Sequence, residues 1–167
     1  MDRLTAATAG LFYAWLAHDI EEYLTMPGLK HPMLARFRLG TEPGGALSRD
    51  QVDLALTFMG ALFAVASVEG YRTRGRSPLY QAALYGYGMH GFIHLASAVA
   101  ARGYTSGAAT ALPVVLPFWV FADRALRDAG VQVRAHRWTI AAFAPLGLAV
   151  HYAARQIVTR RTKETTP

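Results

Sequence analysis

Apolar residues along this chain gather into five runs free of Asp, Glu, Lys and Arg. The runs are 4–18, 54–68, 79–101, 103–122 and 138–154, and they hold 15, 15, 23, 20 and 17 residues. Crossing a bilayer as a helix takes about 20 mostly apolar residues, so two runs qualify outright. The other three qualify if a charge near the headgroups is tolerated at their ends. Each run is apolar around most of a helix circumference, whereas a surface helix of a small soluble protein shows a single apolar stripe. The pattern predicts an all-α protein, a polytopic membrane helical bundle with about five transmembrane helices at 4–25, 51–70, 79–101, 107–126 and 138–158. Residues 1–158 form one transmembrane domain in this reading, and 159–167 a disordered basic tail.

Composition sharpens this only in part. The chain has 167 residues, 53% of them hydrophobic, enough for a soluble core as well, so the membrane reading rests on how the apolar residues are distributed. Ala and Gly dilute the runs, and mean hydropathy is a modest +0.18. The net charge of +6 comes from Arg-rich connections. No interleaving of aromatic and basic residues marks a nucleic-acid surface, and the charge suits anionic headgroups of membrane lipids. The first run lacks a basic lead-in beyond Arg3 and ends in acids, as a retained span does and a cleaved leader does not. With no Cys, disulfides and thiolate ligands are excluded. Five spans put eight Lys and Arg on one side and nine on the other, a balance that does not fix orientation.

The connections are short except for 26–50, where Pro27, Pro32 and Pro43 alternate with Gly28, Gly40, Gly44 and Gly45 and forbid one continuous helix. Within it, 31–39 mixes Met33, Leu34, Phe37 and Leu39 with Arg36 and Arg38, which suits a short helix lying in the interface. Pro113 and Pro117 remove two backbone donors from the fourth span and should bend it.

The candidate chemistry lies inside the runs. His18, Glu21 and Glu22 are three and four residues apart and project together from the first helix; His90 and His94 share a face of the third. His151 lies in the fifth. Odd-numbered spans run in the same direction, so these groups, with Asp53 and the long loop, fall in the same half of the membrane. Ionisable groups within spans are expensive and read by default as functional. Imidazoles with one or two carboxylates suit a divalent transition metal, zinc or iron. The expected division makes His18, Glu22, His90 and His94 ligands and His151 a further ligand or a supporting group. Glu21 is then a general base toward a water activated by the ion. The same residues without metal suit acid/base work. Asp19 falls off the His18 face and is left out of the site. Asp53, Glu69 and Asp123 sit near span ends and belong to the membrane interface in this reading, Arg155 either pairs with a carboxylate or snorkels to the headgroups, and His31 and His136 are solvated.

The segment H-D-I-E-E-Y-L followed by M-P-G, with G-M-H-G-F-I-H-L in mid-chain, resembles the HXXEE family of small bacterial integral membrane proteins. The motifs that carry the likeness are His18, Glu21 and Glu22 with Pro27 after them, then His94 before Leu95. The family pattern places an Asn four residues before the second-motif His, where this chain has His90, a departure that bears on the ligand count. The resemblance implies a bacterial inner-membrane protein with an enzymatic, metal-linked role and leaves the reaction open.

These readings converge on a metal-dependent enzyme, a hydrolase or an oxidoreductase, acting on a lipid or other hydrophobic small-molecule substrate admitted near 26–50. The alternatives are a metal-free isomerase or cyclase on a lipophilic substrate and, ranked last, a small metal or proton carrier.

Overall fold

In a computed structural model describing residues 2–29, 38–133 and 137–165, helices occupy all five predicted positions. They are α1 (Arg3–Thr25), α2 (Arg49–Arg72), α3 (Pro78–Ala101), α4 (Ala108–Asp128), a short α5 (Arg137–Ala141) and α6 (Phe143–Thr165). The described residues include no strand. Two helices, α2 and α4, are long and apolar enough to cross a membrane. The fifth predicted span divides into α5 and α6, and α6 continues to Thr165. Residues 159–165, expected as a disordered tail, are therefore helical. The interfacial segment expected at 31–39 falls almost wholly outside the described residues, as do His31 and His136.

Local chemistry sets the ends. Asp2 caps α1 by accepting from Thr5 N–H at 2.6 Å, Ser48 caps α2 and Ser77 caps α3, with Pro78 in its first turn. Asp2, exposed, is held down to about 2 by the Thr5 backbone N–H and then by Arg74, whose guanidinium lies 3.1 Å away. The helix α3 stops where Arg102 turns left-handed at φ 51°. The prolines of α4 act by widening a turn. Ala111–Val115 is π-helical, and Leu116 N–H reaches back to Ala111 C=O.

The helix α1 is the centre of the bundle. Its buried positions Leu4, Ala7, Leu11 and Trp15 recur every three or four residues. They pack against Phe63 and Ala66 of α2, Tyr80, Leu84 and Tyr87 of α3, and Val115, Ala122 and Leu126 of α4. The Trp15 and Phe63 rings stack at 5.5 Å. Two tyrosines set the register of α3 on α1: Tyr80 donates to Ala7 C=O at 3.0 Å and Tyr87 to Ala14 C=O at 2.7 Å. Close approach needs glycine at Gly70, where a Cβ would lie 2.4 Å from the Tyr80 ring, and at Gly88, where it would lie 2.6 Å from Trp119. The core-facing stripe of α1 then continues past Trp15 into buried His18 and Glu22. Four apolar turns thereby aim two polar side chains into the same interior.

Candidate metal centre

The end of that stripe meets the end of the equivalent one on α3. His18 and Glu22 of α1 and His90 and His94 of α3, each pair spaced i, i+4, bring one ligand atom apiece to within 4.8 Å of one another. Glu22 Oε1 lies 3.3 Å from His94 Nε2, and Glu22 Oε2 lies 3.9 Å from both His18 Nε2 and His90 Nε2. Ligands held at 2.0–2.1 Å around a tetrahedral ion stand about 3.3 Å apart, so the spacing falls in the right range. The imidazole of His18 is fully buried, while His90 is 44% exposed and forms the open side.

The outer nitrogens of two imidazoles are fixed. Thr110 Oγ1 donates to Glu21 Oε2 at 2.5 Å. Its single proton being used there, the hydroxyl accepts from His18 Nδ1–H at 2.7 Å. His94 Nδ1–H donates to Ser106 C=O, also at 2.7 Å, since a carbonyl only accepts. With Nδ1 carrying the proton, each ring in its neutral form turns an Nε2 lone pair inward. His18 Nε2 is buried with no hydrogen-bond partner. Two nitrogen lone pairs and the Glu22 carboxylate thus face one another, and His90 Nε2, 2.7 Å from His94 Nε2, can supply one proton at most. Lone pairs so arranged call for a cation or an additional proton at their centre. The donor set of three imidazoles and one carboxylate fits a divalent transition ion, and Thr110 and Ser106 hold the outer nitrogens as supporting groups around metal sites do.

Glu21 points elsewhere. It accepts from Tyr104 Oη (2.6 Å), Ala109 N–H (3.1 Å), Thr110 N–H (2.7 Å) and Thr110 Oγ1 (2.5 Å). These bonds engage both carboxylate oxygens and place the charge at the N-terminus of α4, where orphan N–H groups and the helix dipole favour an anion. His151 stands outside the group of four. It is within electrostatic reach of Glu22 and His90, its Nδ1 is buried without a partner, and its carbonyl accepts from Gln51 Nε2 at 3.1 Å. Asp123 accepts from Tyr85 and Arg127, Glu69 lies 3.6 Å from Arg72, and Arg155 donates to Gly40 C=O at 3.4 Å.

Reading the sequence for His and acids alone missed the loop that closes the site. Tyr104, Ser106 and Thr110 supply its outer contacts. Gly107, at φ 82°, leaves room for the His94 ring, which a Cβ there would approach to 2.4 Å. The signal was the polar, small run Y-T-S-G-A-A-T that leads into the first turn of the fourth helix. Asp19 was also passed over. It is buried against α2 with its side chain in a groove that Asp53 also lines.

Fold and site together define an all-helical protein with a buried His/Glu cluster able to hold a metal ion. The chain matches the family described as "protein of unknown function with HXXEE motif" over residues 9–122, and it belongs to that family. The matched region contains all four clustered residues together with Glu21 and the 104–110 segment, and it ends before His151. No curated protein and no solved structure matches the chain.

Proposed function

We propose that this protein is an integral protein of the cell membrane with about five spans, His18, Glu22, His90 and His94 holding a divalent transition metal, zinc or iron. We propose further that it acts on a lipophilic substrate as a metal-dependent hydrolase or oxidoreductase. The observation that carries the metal reading is the convergence of inward-turned Nε2 lone pairs and the Glu22 carboxylate, with His18 Nε2 buried and unpartnered. The membrane reading is supported by large apolar side chains that point outward on several helices, among them Ile20, Leu24, Val65, Val68, Phe92 and Val99.

In such a site the metal supplies Lewis-acid or redox chemistry. The chain's own residues do the rest. Thr110 and Ser106 orient His18 and His94, and Glu21 holds Thr110 in place while capping α4. The exposed edge of His90 marks the side from which a substrate reaches the centre. Glu21 thereby takes a positioning role in place of the general base read from its sequence spacing, because its acceptor positions are filled. His151, within electrostatic reach of Glu22 and His90, is a further ligand or a supporting group.

Metal analysis of detergent-purified protein tests the proposal. Close to one equivalent of zinc or iron is expected, falling sharply in His18→Ala and His94→Ala. Less than about a tenth of an equivalent, not restored by added Zn²⁺ or Fe²⁺, would overturn it. The short His90–His94 contact favours one second reading, in which an additional proton in the cluster supports acid/base isomerisation or cyclisation. That activity would survive chelation and disappear in Glu22→Gln.

A further inference from the structure

Beside the face of α1 that carries the cluster, a groove of about 620 Å³ runs between α1 and α2. Its α1 wall extends from Phe12 to Tyr23, which at 1.5 Å per residue is about 16 Å, the length of an alkyl chain of roughly a dozen carbons. Along most of this length the walls are apolar, with Phe12, Trp15 and Leu16 on one side and Ala61 and Ala64 on the other. Gly60 keeps the wall low, since a Cβ there would lie 2.9 Å from the Trp15 ring.

Two acids sit at the other end. Asp19 is 5% exposed, its side chain lines the groove, and it has no hydrogen-bond or ion-pair partner among the described residues. Asp53 lines the same end and is exposed. A buried carboxyl group without donor or cation is costly to keep in the interior, and a cation brought against it removes that cost. The nearby Arg49 does not serve. Its guanidinium donates to Tyr23 C=O at 2.7 Å and lies 4.5 Å over the Tyr23 ring.

We propose that this groove binds a single-chain amphiphile with an ammonium head, its chain along Trp15 and Ala61 and its head between Asp19 and Asp53. The groove borders the His/Glu cluster, since Asp19 follows His18 in the chain, but the proposal rests on the groove's shape and on its two acids and does not require a metal to be bound.

Quenching of Trp15 fluorescence by brominated probes tests it. The protein, in discs of zwitterionic lipid, carries Trp119→Phe and Trp138→Phe so that Trp15 is the sole tryptophan. The probes are brominated dodecylamine, dodecanol and dodecanoic acid. The amine is expected to quench at a concentration about tenfold below the other two, the advantage of a charge-assisted contact. Asp53→Asn should narrow that gap to about threefold, and Asp19→Asn should close it. A variant retaining only Trp138, which is 74% exposed, reports partitioning into the disc and should show no headgroup preference. Equal quenching of Trp15 by all three probes, or preference for the acid, would overturn the proposal. Should Asp19→Asn fail to fold, the headgroup comparison in the parent chain and the exposed Asp53→Asn variant still decide it.

Discussion

Replacing Thr110 with Val separates a supporting role around a metal site from ordinary packing. The substitution keeps the side-chain shape and deletes one hydroxyl. That hydroxyl accepts from His18 Nδ1–H at 2.7 Å and donates to Glu21 Oε2 at 2.5 Å. Losing it orphans a buried imidazole N–H, at about 1–3 kcal/mol, and removes one of the four bonds to the Glu21 carboxylate. The fold keeps its remaining Glu21 bonds, from Tyr104, Ala109 and Thr110 N–H, so the apo protein should be weakened by about 2–4 kcal/mol and still assemble. Metal affinity should fall roughly 10–100-fold, because His18 is no longer fixed with Nε2 inward. With free zinc at 100 times the parent Kd, the metal stabilises the parent by about 2.7 kcal/mol; a thirtyfold weaker site gains only about 0.9 kcal/mol at the same concentration. Competition with a chelating dye gives the affinities, and thermal unfolding with and without zinc gives the linkage. A destabilised variant that binds zinc within about threefold of the parent would refute the reasoning, since His18 would then need no orientation from Thr110.

Other expectations follow from single contacts. Gly107→Ala forces a non-glycine residue to φ 82° and a Cβ to 2.4 Å from His94; unfolding should come at least about 1 kcal/mol sooner, with metal content reduced in the same preparation. Glu21→Gln exchanges an acceptor oxygen for a donor facing N–H groups of α4 and should cost about 1–3 kcal/mol in denaturant titration; a variant of full stability that lost only turnover would restore Glu21 as a base. Tyr87→Phe removes the bond to Ala14 C=O and should lower stability by about 1 kcal/mol with metal affinity unchanged. Asp2 ionises at about 2 when folded against an ordinary 3.8. Its contribution is therefore complete above about pH 4 and is lost as pH falls through that window toward 2. Asp2→Ala should flatten this part of an acid-unfolding curve, and an unchanged curve would remove the cap from the account.

The helices were legible because each apolar run is longer than any alternative element and is bounded by a cap or a breaker. Ser48 and Ser77 begin helices within two residues of the predicted starts, and Pro78 is in the first turn of α3. The division of the last run into α5 and α6 had a signal that periodicity alone passes over: Pro145 lies in the first turn of α6 and has no N–H to offer Ala141 C=O, which ends α5 just ahead of it. The cluster was legible for a different reason. Residues at i and i+4 share a helix face whatever the fold, so His18 with Glu22, and His90 with His94, were paired before any helix was placed beside another. Their meeting required only that α1 and α3 turn their polar ends toward each other, which the apolar stripes above them enforce. Tyr80 and Tyr87 hold the two helices in register by donating to Ala7 and Ala14 carbonyls.

What sequence spacing could not assign is the difference between Glu21 and Glu22. Adjacent helix residues point about 100° apart, so one of the two must leave the cluster. Which one leaves depends on where α1 meets α4, a contact 89 residues distant in sequence. The structure resolves it by giving Glu21 the start of α4 to cap, which leaves Glu22 to face the three imidazoles. One acid of the motif thus stabilises the frame and the other supplies charge to the centre. The frame reaches the centre through Thr110, whose hydroxyl touches Glu21 on one side and His18 on the other. Consecutive acids at this motif are therefore not redundant ligands: exchanging their environments would require a quarter-turn of α1 that its core stripe of Leu4, Leu11 and Trp15 does not permit.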